Sequence, residues 1–129
     1  MNETMTIRQM CDAFNVTPRT LRFYEAKELL APIRVGQKRL FTHRDRARLT
    51  LILRGKRFGF SLEEIRQILD LYHSPGGVDA QRRAAREIGL RHLERMHRER
   101  AELDAAIGEL TTLLDDPDAL GDNKSRAAE

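Results

Sequence analysis

Arg19, Arg22, Phe23 and Ala26 follow one another at steps of three, one and three residues within TPRTLRFYEAKELL, residues 17–30. On a helix those steps place all four side chains on one side. Leu21 and Leu29 belong to another face. A guanidinium is a planar fork that donates two hydrogen bonds at once, to phosphate oxygens or to the O6/N7 edge of guanine, and a flat ring beside it can contact thymine methyls or sugars. Ala26 is small enough to let such a helix approach a surface closely. Taken alone, arginines at helical spacing are more often a solvated face. The surrounding elements decide between the two readings.

Thr17 offers an N-cap hydroxyl and Pro18 the preferred first helical residue, so a helix runs from Pro18 to about Glu28. Upstream, Thr6 precedes IRQMCDAF, where Ile7, Met10, Cys11 and Phe14 recur at helical spacing until Asn15-Val16 breaks the pattern. Two short helices around a tight turn make a helix-turn-helix. After Pro32, IRVGQKRLF places apolar and β-branched residues on both sides of Gly36-Gln37, which predicts a hairpin with a basic tip, the wing of a winged helix. Thr42 caps a third helix with Asp45 in its first turn and Leu49, Ile52 and Leu53 as its buried stripe; Gly59 suits its C-cap. Ser61 and Glu64 form a capping box for a fourth helix that buries Leu62, Ile65, Ile68, Leu69 and Tyr72.

SPGG, residues 74–77, closes a winged helix-turn-helix domain over residues 1–73. From Asp79 to Leu114 there is no strong helix breaker, and residues 74–114 form the second segment. Leu93, Met96, Arg100, Leu103, Ile107, Leu110 and Leu114 step by three and four, an a/d seam that calls for a second protomer. Arg100 on that seam is expected to meet Glu99 or Glu102 of the partner or to escape at its edge. Residues 115–129 are expected to be a disordered tail.

Charge is divided along the chain. Residues 1–60 hold 13 Lys and Arg against 5 Asp and Glu, whereas residues 61–129 hold 10 against 15. The basic half fits a polyanionic partner. Cys11 is the single cysteine, which excludes an intramolecular disulfide and argues against a thiolate metal site; its neighbours Ile7, Met10 and Phe14 make it a small core hydrophobe. His92 and His97, five apart, do not share the i, i+4 face that suits metal ligation, and together with His43 and His73 they read as surface or boundary residues. Neither a secretory signal nor a membrane-length apolar run is present, and the expected location is the cytoplasm. No phosphate-binding glycine loop or nucleophile-base motif points to an enzyme, and no catalytic residue or cofactor is expected.

The run TIRQMCDAFNVTPRTLRFYEAKELLAPIR followed by GQKRLFTHRDRARLTLILRGKRFGFSLEEI resembles the DNA-binding domain of the MerR family of bacterial transcriptional regulators over residues 5–72. The signature is the LRFYE segment, the R-L-F return strand and the G-F-S-L-E-E-I helix start taken together. The resemblance implies a mainly α fold: a winged helix-turn-helix with a small β-hairpin wing, then a long dimerisation helix that pairs as an antiparallel coiled coil. It implies a homodimer on a pseudo-palindromic promoter, working with RNA polymerase. Arg22, Phe23 and Tyr24 take groove- or phosphate-contacting positions, Arg39 that of the wing arginine and Lys56 that of a backbone-contacting lysine. Lys38 stands where many members carry tyrosine, and can still reach a phosphate. Thr17 and Arg19 complete the DNA-facing set. The metal-sensing branches use cysteines near the end of the dimerisation helix, which this chain lacks. Similarity to a branch associated with branched-chain amino-acid and fatty-acid breakdown implies either an acyl-CoA-type effector, lodged between the dimer helix and the heads, or no effector. A second reading is that of MerR-like heads adapted to bind a co-chaperone or other protein in place of DNA.

Overall fold

The first four helices of the chain each start where a side-chain oxygen accepts from a free N–H of the first turn. The computed structural model describes residues 3–73, 75–116 and 118–119. In chain order the elements are β1 (Met5–Thr6), α1 (Ile7–Phe14), α2 (Pro18–Ala26), β2 (Ile33–Val35), β3 (Lys38–Phe41), α3 (His43–Arg57), α4 (Leu62–Asp70), a 3-10 turn (Leu71–His73) and α5 (Gly77–Asp115). Thr6 accepts from the Gln9 N–H at 3.1 Å while the Gln9 side chain accepts from the Thr6 N–H at 2.9 Å. Ser61 and Glu64 repeat this reciprocal box on α4, and Thr42 and Asp45 repeat it on α3. Thr17 accepts from the Thr20 N–H, with Pro18 next in the chain.

The sheet is three-stranded and antiparallel in the order β1-β3-β2. The hairpin β2–β3 pairs Ile33 with Leu40, Arg34 with Arg39 and Val35 with Lys38. Its two-residue loop has Gly36 at φ 62°, a value that glycine adopts without the steric penalty of a Cβ. The third strand was not expected from the sequence: Met5 and Thr6 pair with Phe41 and Leu40 immediately before Thr6 caps α1. Two residues are too few to show an alternating pattern, so only the long-range pairing reveals them.

The helices enclose a core of Met10, Leu21, Tyr24, Leu29, Leu30, Phe41, Leu49, Ile52, Ile65 and Leu69, with Ile7, Cys11, Phe14, Leu53 and Leu62 partly buried against it. Gly55 lets α3 and α4 approach: a Cβ there would stand 2.9 Å from Ile65 Cγ1. Gly59, at φ 81°, follows the Phe58 C-cap of α3, and the Phe60 N–H returns to the Gly55 carbonyl at 2.9 Å. Tyr72 differs from the expectation. It is 55% exposed, because α4 gives way to the 3-10 turn after Asp70 and the ring leaves the stripe that Ile65, Ile68 and Leu69 bury.

By internal contacts the chain divides into two units, Met1–Ile88 and Gly89–Glu129. The first includes the opening turns of α5, where Ala84 and Ile88 pack with Ile68. Within the second, α5 carries the i, i+4 ion pairs Arg98–Glu94 at 3.1 Å and Arg95–Glu99 at 3.4 Å. Leu93, Leu103, Ile107, Leu110 and Leu114 are 49–61% exposed. Arg100 is also exposed and lies 3.2 Å from His97 Nδ1. Of the tail expected over 115–129, residues 117 and 120–129 lie outside the described residues. Among the described residues no helix is long and apolar enough to cross a membrane.

Gly55→Val forces two branch methyls into the α3–α4 contact and is expected to destabilise the fold by about 1–3 kcal/mol in chemical denaturation. Unchanged stability would show that α3 and α4 are not held at this separation.

Candidate nucleic-acid interface

Helix α2 is short, and its orientation comes from what it buries. Leu21 and Tyr24, three residues apart, point into the core, while Arg19, Arg22 and Ala26 are exposed and Phe23 is 43% exposed. The face carrying guanidinium groups and an aromatic ring is thus turned to solvent. Phe23 is held from two sides: its ring packs edge-on against Tyr24 at 5.6 Å between centroids, and Lys27 Nζ stands 5.7 Å from its centroid.

The C-terminal end of α2 is fixed by side chains from α3 and α4. The helix stops at Ala26, two residues before the expected Glu28, because Glu28 takes φ 62° and turns the chain so that Leu29 and Leu30 enter the core. The Leu29 N–H returns to the Tyr24 carbonyl at 2.9 Å. Arg66 donates to the Lys27 carbonyl, and Arg48 Nε donates to the Leu29 carbonyl at 2.7 Å. Burial, with the nearby charge of Arg44, lowers the Arg48 pKa from its ordinary value. Asp45, 2% exposed, accepts from the Ala31 N–H at 2.9 Å and the Thr42 N–H at 3.0 Å, which joins this turn to the start of α3.

The wing is tied to α2 by one carboxylate. Glu25 Oε2 accepts from Arg34 Nη1 at 3.2 Å, and its Oε1 accepts from Arg39 Nε. Partial burial pushes the Glu25 pKa up, but the hydrogen bonds and charges of Arg39 and Arg34 together outweigh it and leave it lowered.

The expected site residues fall into three groups. Arg19, Arg22 and Phe23 on α2, Lys38 at the hairpin end and Lys56 on α3 are exposed. Arg39 is partly covered and engaged with Glu25, and the Thr17 hydroxyl is engaged as the cap of α2, 2.9 Å from Thr20 Oγ1. Tyr24 is a correction. At 3% exposed its ring belongs to the core, because position 24 shares the helix face of Leu21, and burial raises the pKa of its hydroxyl. Glu25, Arg48 and Arg66 are not singled out by the sequence, and Asp45 is only as a first-turn acid of α3, without its bond to Ala31. Each acts across 14 or more residues of chain or between elements, as in Ala31 to Asp45 and Arg39 to Glu25, so local spacing carried no signal for them.

A helix-turn-helix with an exposed cationic and aromatic second helix and a basic wing defines a winged-helix DNA-binding protein. Residues 5–72 match the family described as MerR HTH family regulatory protein, and residues 46–113 match that described as MerR, DNA binding. The chain belongs to the MerR family and is a DNA-binding transcriptional regulator. Among curated relatives it is similar to the HTH-type transcriptional regulator CueR of Yersinia pestis, 32% identical over 92 residues, covering 70% of this chain and 66% of that protein. It is also similar to HmrR of Rhizobium leguminosarum bv. viciae, 31% identical over 107 residues, covering 82% and 83%. The fold resembles that of HiNmlR, a MerR family regulator lacking the sensor domain that was crystallised bound to promoter DNA, with TM-score 0.67 and 22% identity over 92% of this chain and 91% of that one. It resembles the N-terminus of the Bacillus subtilis multidrug transporter activator, MtaN, with TM-score 0.53 and 28% identity over 80% and 97%.

The lowered Glu25 pKa sets the sign of a pH effect. Stability from its ion pairs is fully present above the unfolded carboxylate pKa and is lost as pH falls through the lowered folded value. The stability difference between the wild type and Glu25→Gln should therefore shrink on acidification into that range, read by denaturant titration at several pH values. A difference that grew on acidification would contradict the pairing.

Proposed function

We propose that the chain acts as a homodimer on a pseudo-palindromic promoter site, with α2 in the major groove of each half-site and the β2–β3 wing on the flanking backbone. The observation that carries this reading is the exposed Arg19–Arg22–Phe23 face of a helix whose other face is locked in the core. Arg22 and Arg19 have the fork geometry for guanine edges or phosphates, and Phe23 the flat surface for a thymine methyl or a sugar. Lys38, Arg39 and Lys56 suit phosphate contacts, which set register without reading sequence. Thr17 acts at the head of α2 through the cap it forms. Tyr24 supports Phe23 from within.

Residues 1–73 form the DNA-binding head in this reading and residues 74–114 the dimerising segment, with the first turns of α5 packed on α4. The apolar row Leu93, Met96, Leu103, Ile107, Leu110 and Leu114 supplies the interface, and Arg100 pairs with Glu99 or Glu102 of the partner. An antiparallel pairing of the helices would place one head at each end. HiNmlR was crystallised on promoter DNA with a related fold, which supports the docking mode. The reading assigns no catalytic step. It places the protein in the cytoplasm, at promoters shared with RNA polymerase.

An acyl-CoA-type effector finds some support in the head. A cleft of about 450 Å³ there combines His43, Arg44 and Arg48 with Leu51, Leu69 and Tyr72, cationic and apolar lining that suits a ligand with phosphates and a hydrocarbon tail. The protein-interaction reading is disfavoured, since such a surface has no need of arginines around an exposed ring.

A salt titration against a pseudo-palindromic promoter duplex tests the docking. Affinity should fall steeply with salt as phosphate contacts release counterions. Arg22→Ala and Arg39→Ala should each weaken binding by about 1–3 kcal/mol. Indifference to both substitutions would remove the docking mode. Charge placed in the apolar row, Leu103→Glu with Ile107→Glu, should yield a monomer in sedimentation with its head still folded; a persistent dimer would place the interface elsewhere.

A further inference from the structure

Arg34 and Arg39 are direct cross-strand partners in the wing, so their side chains leave the same side of the hairpin. Two like charges so placed repel and would splay. A single acidic group prevents it: Glu25, in the last turn of α2, spends one carboxylate oxygen on each. The bond to Arg39 is made by Nε, and among the described residues its two Nη groups bond to no protein atom. A guanidinium held by its Nε still presents an Nη donor pair for a phosphate.

Glu25 belongs to the helix that carries Arg19, Arg22 and Phe23, but it lies on the side turned to the wing. Its carboxylate therefore fixes the wing arginine relative to the recognition surface. This inference rests on the docking mode proposed above. The geometry points to Glu25 as a positioning residue for DNA binding: an acid whose removal weakens affinity for a polyanion because it holds Arg39, and with it the wing, at the angle that meets the backbone. Simple charge counting gives the opposite sign, since an acid near the duplex should repel it.

The test is a double-substitution cycle in the full chain, with affinity for the promoter duplex measured across a range of salt. Glu25→Gln keeps the size of the side chain and removes the charge. It should weaken binding roughly threefold to tenfold and make the salt dependence shallower, as expected when a phosphate contact is lost. In an Arg39→Ala background the same substitution should have almost no further effect. Glu63→Gln, an exposed acid on α4, is the control and should leave affinity at or slightly above that of the wild type.

Glu25→Gln binding as tightly as the wild type, or more tightly, would overturn the inference. So would full additivity with Arg39→Ala, because Glu25 would then act by another route. If Glu25→Gln does not fold at the assay temperature, Arg39→Lys carries the test: it keeps the charge but loses both the Nε bond and the donor pair. It should lose most of what Arg39→Ala loses, and wild-type affinity would overturn the clamp. A wild type with no salt-dependent binding would defeat the docking mode itself and the clamp with it, an outcome distinct from a normal wild type with an indifferent Glu25→Gln.

Discussion

A helix of nine residues does not hold together in water by its own hydrogen bonds, so the direction in which α2 presents its side chains is set by the partners of its inner face. Leu21 and Tyr24 supply that inner face, and everything on the outer face inherits its position from them. Tyr24 has the larger consequence because its ring also meets Phe23, so the aromatic group on the exposed side rests on one in the core. The caps at each end complete the constraint. Thr17 closes the start, while Arg48 and Arg66 reach from α3 and α4 to the carbonyls at the finish. Two guanidinium groups at the carbonyl end of a helix also complement its dipole.

The wing depends on the same helix by a different force. Antiparallel pairing fixes β2 against β3, and β3 is anchored on its other edge by β1 and by the buried Phe41. A short hairpin held on one edge can still tilt. The Glu25 bridge crosses from α2 to both strands and opposes that tilt at the point where two like charges would otherwise repel. The exposed face of α2 is thus positioned by apolar burial on one side, and the hairpin is joined to the same helix by an ion-paired triad.

Much of this was legible in the sequence, and the limit of legibility has a physical reason. Capping boxes at Thr6, Thr42 and Ser61, the Thr17-Pro18 start and the Gly36 turn are local devices in which partners lie within three residues, and each stands where the spacing places it. The exposed set Arg19, Arg22 and Phe23 also follows from local periodicity. The resemblance puts Tyr24 in the DNA-facing group, whereas in the folded chain it shares the buried face of Leu21. The end of α2 was set two residues late because the positive φ at Glu28 has no glycine to announce it. The β1 strand, the Asp45 link to Ala31 and the Glu25 triad depend on chain segments that meet only after folding. On α5, the heptad pattern found the exposed apolar row but gave no sign that Ala84 and Ile88 would pack with Ile68.

Chemical protection of the promoter bases tests the central claim most directly, because guanine N7 lies in the major groove alone. With the full chain bound, guanine N7 atoms should be shielded from dimethyl sulfate in two major-groove segments related by the pseudo-dyad of the site, and Arg22→Ala should uncover guanines within both. Uniform reactivity of guanine N7 along the bound duplex, or shielding confined to the minor-groove N3 of adenine, would contradict the placement of α2 in the major groove.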